Sequence, residues 1–114
     1  MGSLSSFSTA NQSAHMVIQI RQQELGLLYG QAEAAYRACI SDPENAFLQE
    51  QVPLPLRDIE VRQWQVKMVF SAGSVEVGQM EVHLGLYAAG KWMGNYVSTL
   101  NASGEVIDDS LVFH

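Results

Sequence analysis

Three short turns, each containing glycine, divide the second half of the chain into four runs, and this constrains the fold more than any other feature. The turns are Ser71-Ala72-Gly73-Ser74, Ala88-Ala89-Gly90 and Asn101-Ala102-Ser103-Gly104. Glycine supplies the positive φ that tight hairpins need. The runs between them, residues 59–70, 75–87, 91–100 and 105–113, are rich in β-branched and aromatic residues and alternate apolar with polar. Parallel neighbours need crossovers of a dozen residues or more, so turns this short dictate an antiparallel up-and-down meander.

The alternation changes phase inside two of the runs. Trp64, Val66, Met68 and Phe70 share one face, whereas Ile59 and Val61 have the opposite phase, which predicts a β-bulge near Arg62-Gln63. Val75 and Val77 are likewise out of phase with Met80, Val82, Leu84 and Leu86, with Gly78 at the switch. Two facing strands that both change phase predict a curled sheet with a concave face.

The first half reads as helix. Ser13 suits an N-cap. Ile18, Leu25, Leu28, Ala32, Ala35, Tyr36 and Cys39 recur at helical spacing and form one stripe. Gly26 and Gly30 weaken this helix and form a small-x-x-x-small step, which predicts either tight packing on the sheet or a kink. Asp42-Pro43-Glu44 ends the helix and starts a second, short one over Pro43–Gln51 that would turn Ala46 and Phe47 inward. Val52-Pro53-Leu54-Pro55-Leu56 must be extended, because each proline biases its predecessor away from helix; Leu54 and Leu56 are expected to tuck inside. The expected fold is therefore α+β: a long helix and a short second helix, then a four-stranded curled antiparallel meander packed on the long helix. In element order alone this resembles cystatin-like and NTF2-like cones. Residues 1–13, with five serines, read as a polar arm, and residues 14–114 as a single domain.

With 114 residues and 47% hydrophobic content, one domain has enough apolar surface for a core. The net charge is −6, divided as 2 basic and 5 acidic residues before position 57 and 4 and 7 from there on. Nucleic acid is not an expected partner, because its phosphates require clustered Lys and Arg, and Arg57, Arg62, Lys67 and Lys91 are scattered. No apolar run approaches the ~18–20 residues of a membrane span. One cysteine permits no intrachain disulfide, and the cytoplasm is the expected location.

Chemistry-bearing residues are few. Asp108 and Asp109 are adjacent, so a strand points them to opposite faces and they cannot form a facing dyad. Asp109 is expected to share the inward face of Ile107, Leu111 and Phe113, where a carboxylate needs a partner or a raised pKa. His83 is placed on the polar face of its strand with Gln79 and Glu81, half exposed. Cys39 lies on the helix stripe as a small apolar residue. His114, at the end of the last run, carries no assigned role. There is no HExxH, CxxC, HxH or GxSxG, so no metal or cofactor is expected. Trp64, Tyr87, Trp92 and Tyr96 form the richest constellation. Trp92 and Tyr96 are expected on one face with Gly94 between them, where glycine admits a close neighbour such as a ring, a backbone or a ligand. The rings serve as core or as the wall of a pocket.

Three functional readings follow. The first is a non-enzymatic interaction or assembly module, a homo-oligomer or partner of another protein, with residues 105–113 as an edge strand open to pairing. The second is a small-molecule-binding or catalytic cone, with Trp64, Trp92 and Tyr96 as walls and Asp109 as polar anchor for an apolar or cationic ligand. The third is an acidic inhibitor or immunity-type protein that covers a basic partner.

Overall fold

A computed structural model describes residues 19–114 apart from Val75. The expected 1–13 arm, the Ser13 cap and Ile18 lie outside the described residues. Helix α1 (Gln22–Ser41) leads into a 3-10 segment (Pro43–Gln51) and a short 3-10 turn (Leu56–Asp58). Four strands follow: β1 (Glu60–Phe70), β2 (Val77–Ala88), β3 (Lys91–Asn101) and β4 (Val106–Phe113). They form one antiparallel sheet in the order β1-β2-β3-β4. The expected α+β meander is the observed fold, and α1 packs on the inner face of the curled sheet.

Local chemistry sets the element ends. Glu24, in the first turn of α1, accepts from the Arg21 amide (3.4 Å) and from Arg21 Nε (2.9 Å). At the other end Asp42 Oδ1 accepts from the Glu44 amide at 2.9 Å, and Pro43 opens the next segment. Ala89 (φ 52°) and Gly90 (φ 77°) both have positive φ in the β2–β3 turn, as a type I′ hairpin requires. At the β3–β4 turn, Asn101 Oδ1 accepts from the amides of Ser103 and Glu105, each at 2.9 Å.

The core lies between α1 and the inner sheet face. Tyr29, Ala32 and Tyr36 from α1 meet Val82, Leu84 and Leu86 of β2 and Tyr96 and Leu100 of β3. Leu48, Val52, Leu56 and Ile59 close one end. The Tyr36 and Tyr96 rings meet edge to face, centroids 5.6 Å apart, a geometry worth about 0.5–1.5 kcal/mol beyond area burial. The inward residue of the short segment is Leu48, and Phe47 is 56% exposed; Ala46 is also exposed. The expectation for Ala46 and Phe47 assumed α-helical phase, and the tighter 3-10 turn rotates a different side chain toward the core.

Single-residue slips interrupt the strand pairing and curl the sheet. Gln63 pairs with Leu84 and Gln65 with His83, which leaves Trp64 as the extra residue of β1. Val69 pairs with Gln79 and Phe70 with Val77, so Gly78 is the extra residue of β2, at the phase switch seen in the sequence. Met93 is extra in β3 and Ile107 in β4. The first bulge falls one or two positions beyond the expected Arg62-Gln63.

The glycines separate into two kinds. At Gly94 a Cβ would fall onto the Val112 carbonyl oxygen and within 2.9 Å of Phe113 Cα, so the close neighbour is the backbone of β4. Gly26 and Gly30 meet nothing within 4 Å, so α1 does not use them for close packing. Gly94→Ala is expected to cost roughly 1–3 kcal/mol through overpacking, and Gly26→Ala and Gly30→Ala each to stabilise by up to ~1 kcal/mol through helix propensity. Denaturant unfolding of the three variants checks this. Equal stability of Gly94→Ala and wild type would contradict the packing of β4 against β3.

Candidate functional site

The bulge at Trp64 decides where the aromatic residues go. Side chains alternate along a strand, so one inserted residue sends its neighbours to the other face. Val61 and Val66 pair with Leu86 and Val82 on the inner face. Trp64 is carried to the outer face beside Gln65, and its ring meets that of His83 edge to face at 5.6 Å. Trp64 therefore does not share a face with Val66. His83 in turn is not half exposed: the Trp64 ring covers it and it is 8% exposed. Its Nε2 lies 3.0 Å from Glu81 Oε1. A carboxylate only accepts, so the proton of this hydrogen bond sits on Nε2.

The bulge at Met93 does the same on β3. Gly94 pairs with the inward Leu86, whereas Trp92 pairs with Tyr87 on the outer face. Trp92 and Tyr96 are thus on opposite faces, contrary to the simple alternation that placed them together. Trp92 Nε1 donates to Asn95 Oδ1 at 3.0 Å, and its ring stacks on His114, centroids 5.0 Å apart and planes 22° from parallel. The His114 amide donates to the Met93 carbonyl at 2.8 Å, which holds the end of the chain beside β3.

Between these two tryptophans Tyr87 lies over Gly85. A Cβ at Gly85 would come within 3.0 Å of the Tyr87 ring. The Arg62 guanidinium stacks on that ring, 3.9 Å from its centroid. Glu60 holds Arg62 with both carboxylate oxygens, at 3.0 Å to Nε and 3.1 Å to Nη2. This pairing raises the Arg62 pKa and lowers that of Glu60. Arg62, Gln63, Trp64, Gly85, Tyr87 and Trp92 line an open cleft of about 310 Å³. A bidentate arginine–carboxylate pair beside three aromatic rings suits a flat, uncharged group. It suits a cation less, because Arg62 already occupies the Tyr87 face.

Tyr96 and Asp109 lie on the inner face. The Tyr96 hydroxyl donates to Asp109 Oδ2 at 2.8 Å, although Asp109 itself is exposed. Burial, and then the hydrogen bond to Asp109, push the Tyr96 pKa far above its usual value. The buried Tyr36 hydroxyl has no partner among the described residues. Cys39 packs against the same core, and burial followed by the charge of Asp109 raises its thiol pKa. Ile107, expected beside Asp109 on the inward face, is the bulged residue of β4 and is 54% exposed. The four residues singled out as pocket wall and anchor therefore divide into two pairs, Trp64 with Trp92 outside and Tyr96 with Asp109 inside. Among the described residues, no three His, Cys, Asp or Glu side chains form a group that would hold a metal ion.

Sequence reasoning missed the Arg62–Tyr87–Gly85 stack. The available signal was the pairing register: Arg62 stands opposite Gly85, two residues before Tyr87 on the same face. Glycine on a strand invites an aromatic neighbour to cover it.

Fold and site together define a two-layer α+β domain in which no described element covers the outer face of the sheet, where the aromatic cleft lies. No protein-family model, no curated protein and no solved structure matches the chain. Because the folded state holds the proton on Tyr96 more tightly than the unfolded state, stability is full below the ordinary tyrosine pKa of about 10 and falls as pH rises above it. Tyr29 and Tyr36, both raised by burial, act in the same direction. Tyr96→Phe is expected to flatten this alkaline loss and to cost about 0.5–1.5 kcal/mol at neutral pH. Urea unfolding of wild type and variant between pH 7 and 11 measures both; identical pH slopes would contradict the buried Tyr96–Asp109 pair.

Proposed function

We propose that this chain is a non-enzymatic interaction module, acting in the cytoplasm, that assembles with itself or with another protein through the outer face of its sheet. One observation carries the reading: no described element covers that face, yet it presents Trp64 at 54% exposure and Trp92 at 44%. Exposed Val112 stands on the same outer face on β4, opposite Asn95. Tryptophan and arginine are among the residues most enriched where binding energy concentrates, and Arg62 lines the cleft together with the two indoles. The polar groups around the cleft are held in place by one another, as in Glu60–Arg62, Glu81–His83 and Trp92–Asn95. Such fixed side chains lose little freedom on binding. β4 is an edge strand with exposed Val106 and Ile107, and it offers a secondary surface next to the face.

The cleft of about 310 Å³ favours, as a second reading, a small uncharged ligand held between Trp64 and Trp92. It is open, whereas sites for small ligands usually bury most of the ligand's surface. Protein contact therefore ranks first.

The expected behaviour is reversible association at micromolar concentration that holds or strengthens as salt rises. Two copies of net charge −6 repel, and salt screens that repulsion. Trp92→Ser should raise the dissociation constant at least ~10-fold while the fold persists. Light scattering over a dilution and salt series checks both. A monomer throughout that carries a retained small mass would support the ligand reading instead. Association with a basic protein that weakens steeply with salt would support the acidic inhibitor.

A further inference from the structure

One row of side chains crosses the whole outer face. Lys67 of β1 pairs with Glu81 of β2, Glu81 with Thr99 of β3, and Thr99 with Asp108 of β4. Each alternates with an inward neighbour: Val66, Val82 and Ser98 pack toward the core, and Asp109 accepts from Tyr96. The row is basic at one edge of the sheet and acidic at the other. Lys67 and Asp108 are both exposed. Neither makes an ion pair among the described residues. Glu81 lies against His83 instead, and Asp108 Oδ1 accepts from the Asp109 amide. Three strand spacings, roughly 14 Å, separate the two edges, so Lys67 and Asp108 cannot meet within one chain.

A row ordered in this way complements its own reverse. Consider two outer faces laid together about a two-fold axis that runs parallel to the strands between β2 and β3. β1 of one copy then lies along β4 of the other, and β2 along β3, in the aligned manner of stacked sheets. Lys67 faces the partner's Asp108, and Asp108 faces the partner's Lys67. Glu81 faces the partner's Thr99, which is neutral, so no like charges meet along the row. The same operation brings Trp64 to the partner's β4, where Val112 is exposed, and Trp92 to the partner's β2, which carries Tyr87. A two-fold axis across the strands lays β1 on β1 instead. The carboxylate on that strand is Glu60, which Arg62 already holds with both oxygens. The charge order therefore selects the first arrangement.

We propose that the chain forms a two-fold dimer in which the outer sheet faces of two copies meet with their strands aligned, each Lys67 against the partner's Asp108. This rests on the reading of the outer face as the interaction surface, and names its partner and its orientation. The indoles and Arg62 supply the affinity. The two charge pairs at the rim fix which way the faces meet, because like charges in their place repel.

The test uses full-length Lys67→Asp and Asp108→Lys, one of them isotopically labelled. Both change exposed side chains, and far-ultraviolet circular dichroism with a thermal melt establishes that each remains folded. Native mass spectrometry and sedimentation equilibrium are recorded on wild type, on each variant and on their equimolar mixture. Each variant alone sets like charges opposite each other at two places and is expected to weaken dimerisation at least ~10-fold. The mixture is expected to recover the wild-type affinity as a dimer of one labelled and one unlabelled chain, because opposite charges face each other again. Asp108→Lys is the decisive arm. It reduces the chain's net charge of −6 in magnitude, so general repulsion alone would make it associate more tightly than wild type, and the proposed contact makes it associate less tightly. A dimer unchanged or strengthened by Asp108→Lys, or two folded variants that fail to pair, would overturn the proposed orientation; loss of that dimer in Trp92→Ser would still preserve the outer-face reading. A wild type that stays monomeric at every concentration would overturn the dimer, and a different protein partner released by Trp92→Ser would then keep the outer face as the interaction surface.

Discussion

In an antiparallel sheet a single extra residue reassigns every side chain near it to the opposite face, and this molecule uses that device at Trp64, Gly78, Met93 and Ile107. Each slip adds local twist and bends its strand. Together they curl the sheet around α1, so that Val82, Leu84, Leu86, Tyr96 and Leu100 close on Tyr29, Ala32 and Tyr36. The slips at Trp64 and Met93 also lift the two tryptophans of the chain out of the core and set them on one outer surface. Core and cleft are two consequences of the same register.

The inner layer is ordered by polar groups as well as by apolar burial. Tyr96 is fully buried, and its hydroxyl reaches Asp109 at the exposed edge strand. That hydrogen bond ties β4 to the core where few other inward residues of β4 are buried. Gly94 lets the β4 backbone approach closely at the next inward position of β3. The edge strand is thus held by a side-chain bond at one register position and by backbone proximity at another. On the outer layer, by contrast, Glu60, Arg62, Tyr87 and Gly85 form a stack with no covering element among the described residues.

Much of this architecture was legible in the residues. The three glycine turns gave the meander, the apolar spacing from Leu25 to Cys39 gave the helix stripe, and Gly78 marked its own bulge. Asp109 stands on the inward face and accepts from the buried Tyr96 hydroxyl, but it is exposed and Ile107 does not share its face, so the partial burial expected of it is not observed. The division of the aromatic residues did not follow. Trp92, Gly94 and Tyr96 alternate perfectly in sequence, and nothing local announces that Met93 will be passed over in the pairing; that is settled by the turn at Ala89-Gly90 and by contact with β2. Trp64 was expected on the face of Val66, Met68 and Phe70, as core or pocket wall, because the phase change was placed one or two residues early. His83 was expected half exposed on the polar face of its strand; it does stand on the outer face, but the Trp64 ring covers it. Register is a long-range property, and an error of one position propagates to every neighbour across the sheet.

Both tryptophans of the chain stand on the outer face, so their fluorescence reports on that surface alone. The most direct measurement is acrylamide quenching of tryptophan emission as a function of protein concentration. Efficient quenching in dilute solution that falls as the protein is concentrated, in step with its rising mass, is the result expected of an outer face that becomes covered by contact. Quenching that stays the same while the mass rises would place the contact elsewhere and contradict the assignment of the outer sheet face as the interaction surface.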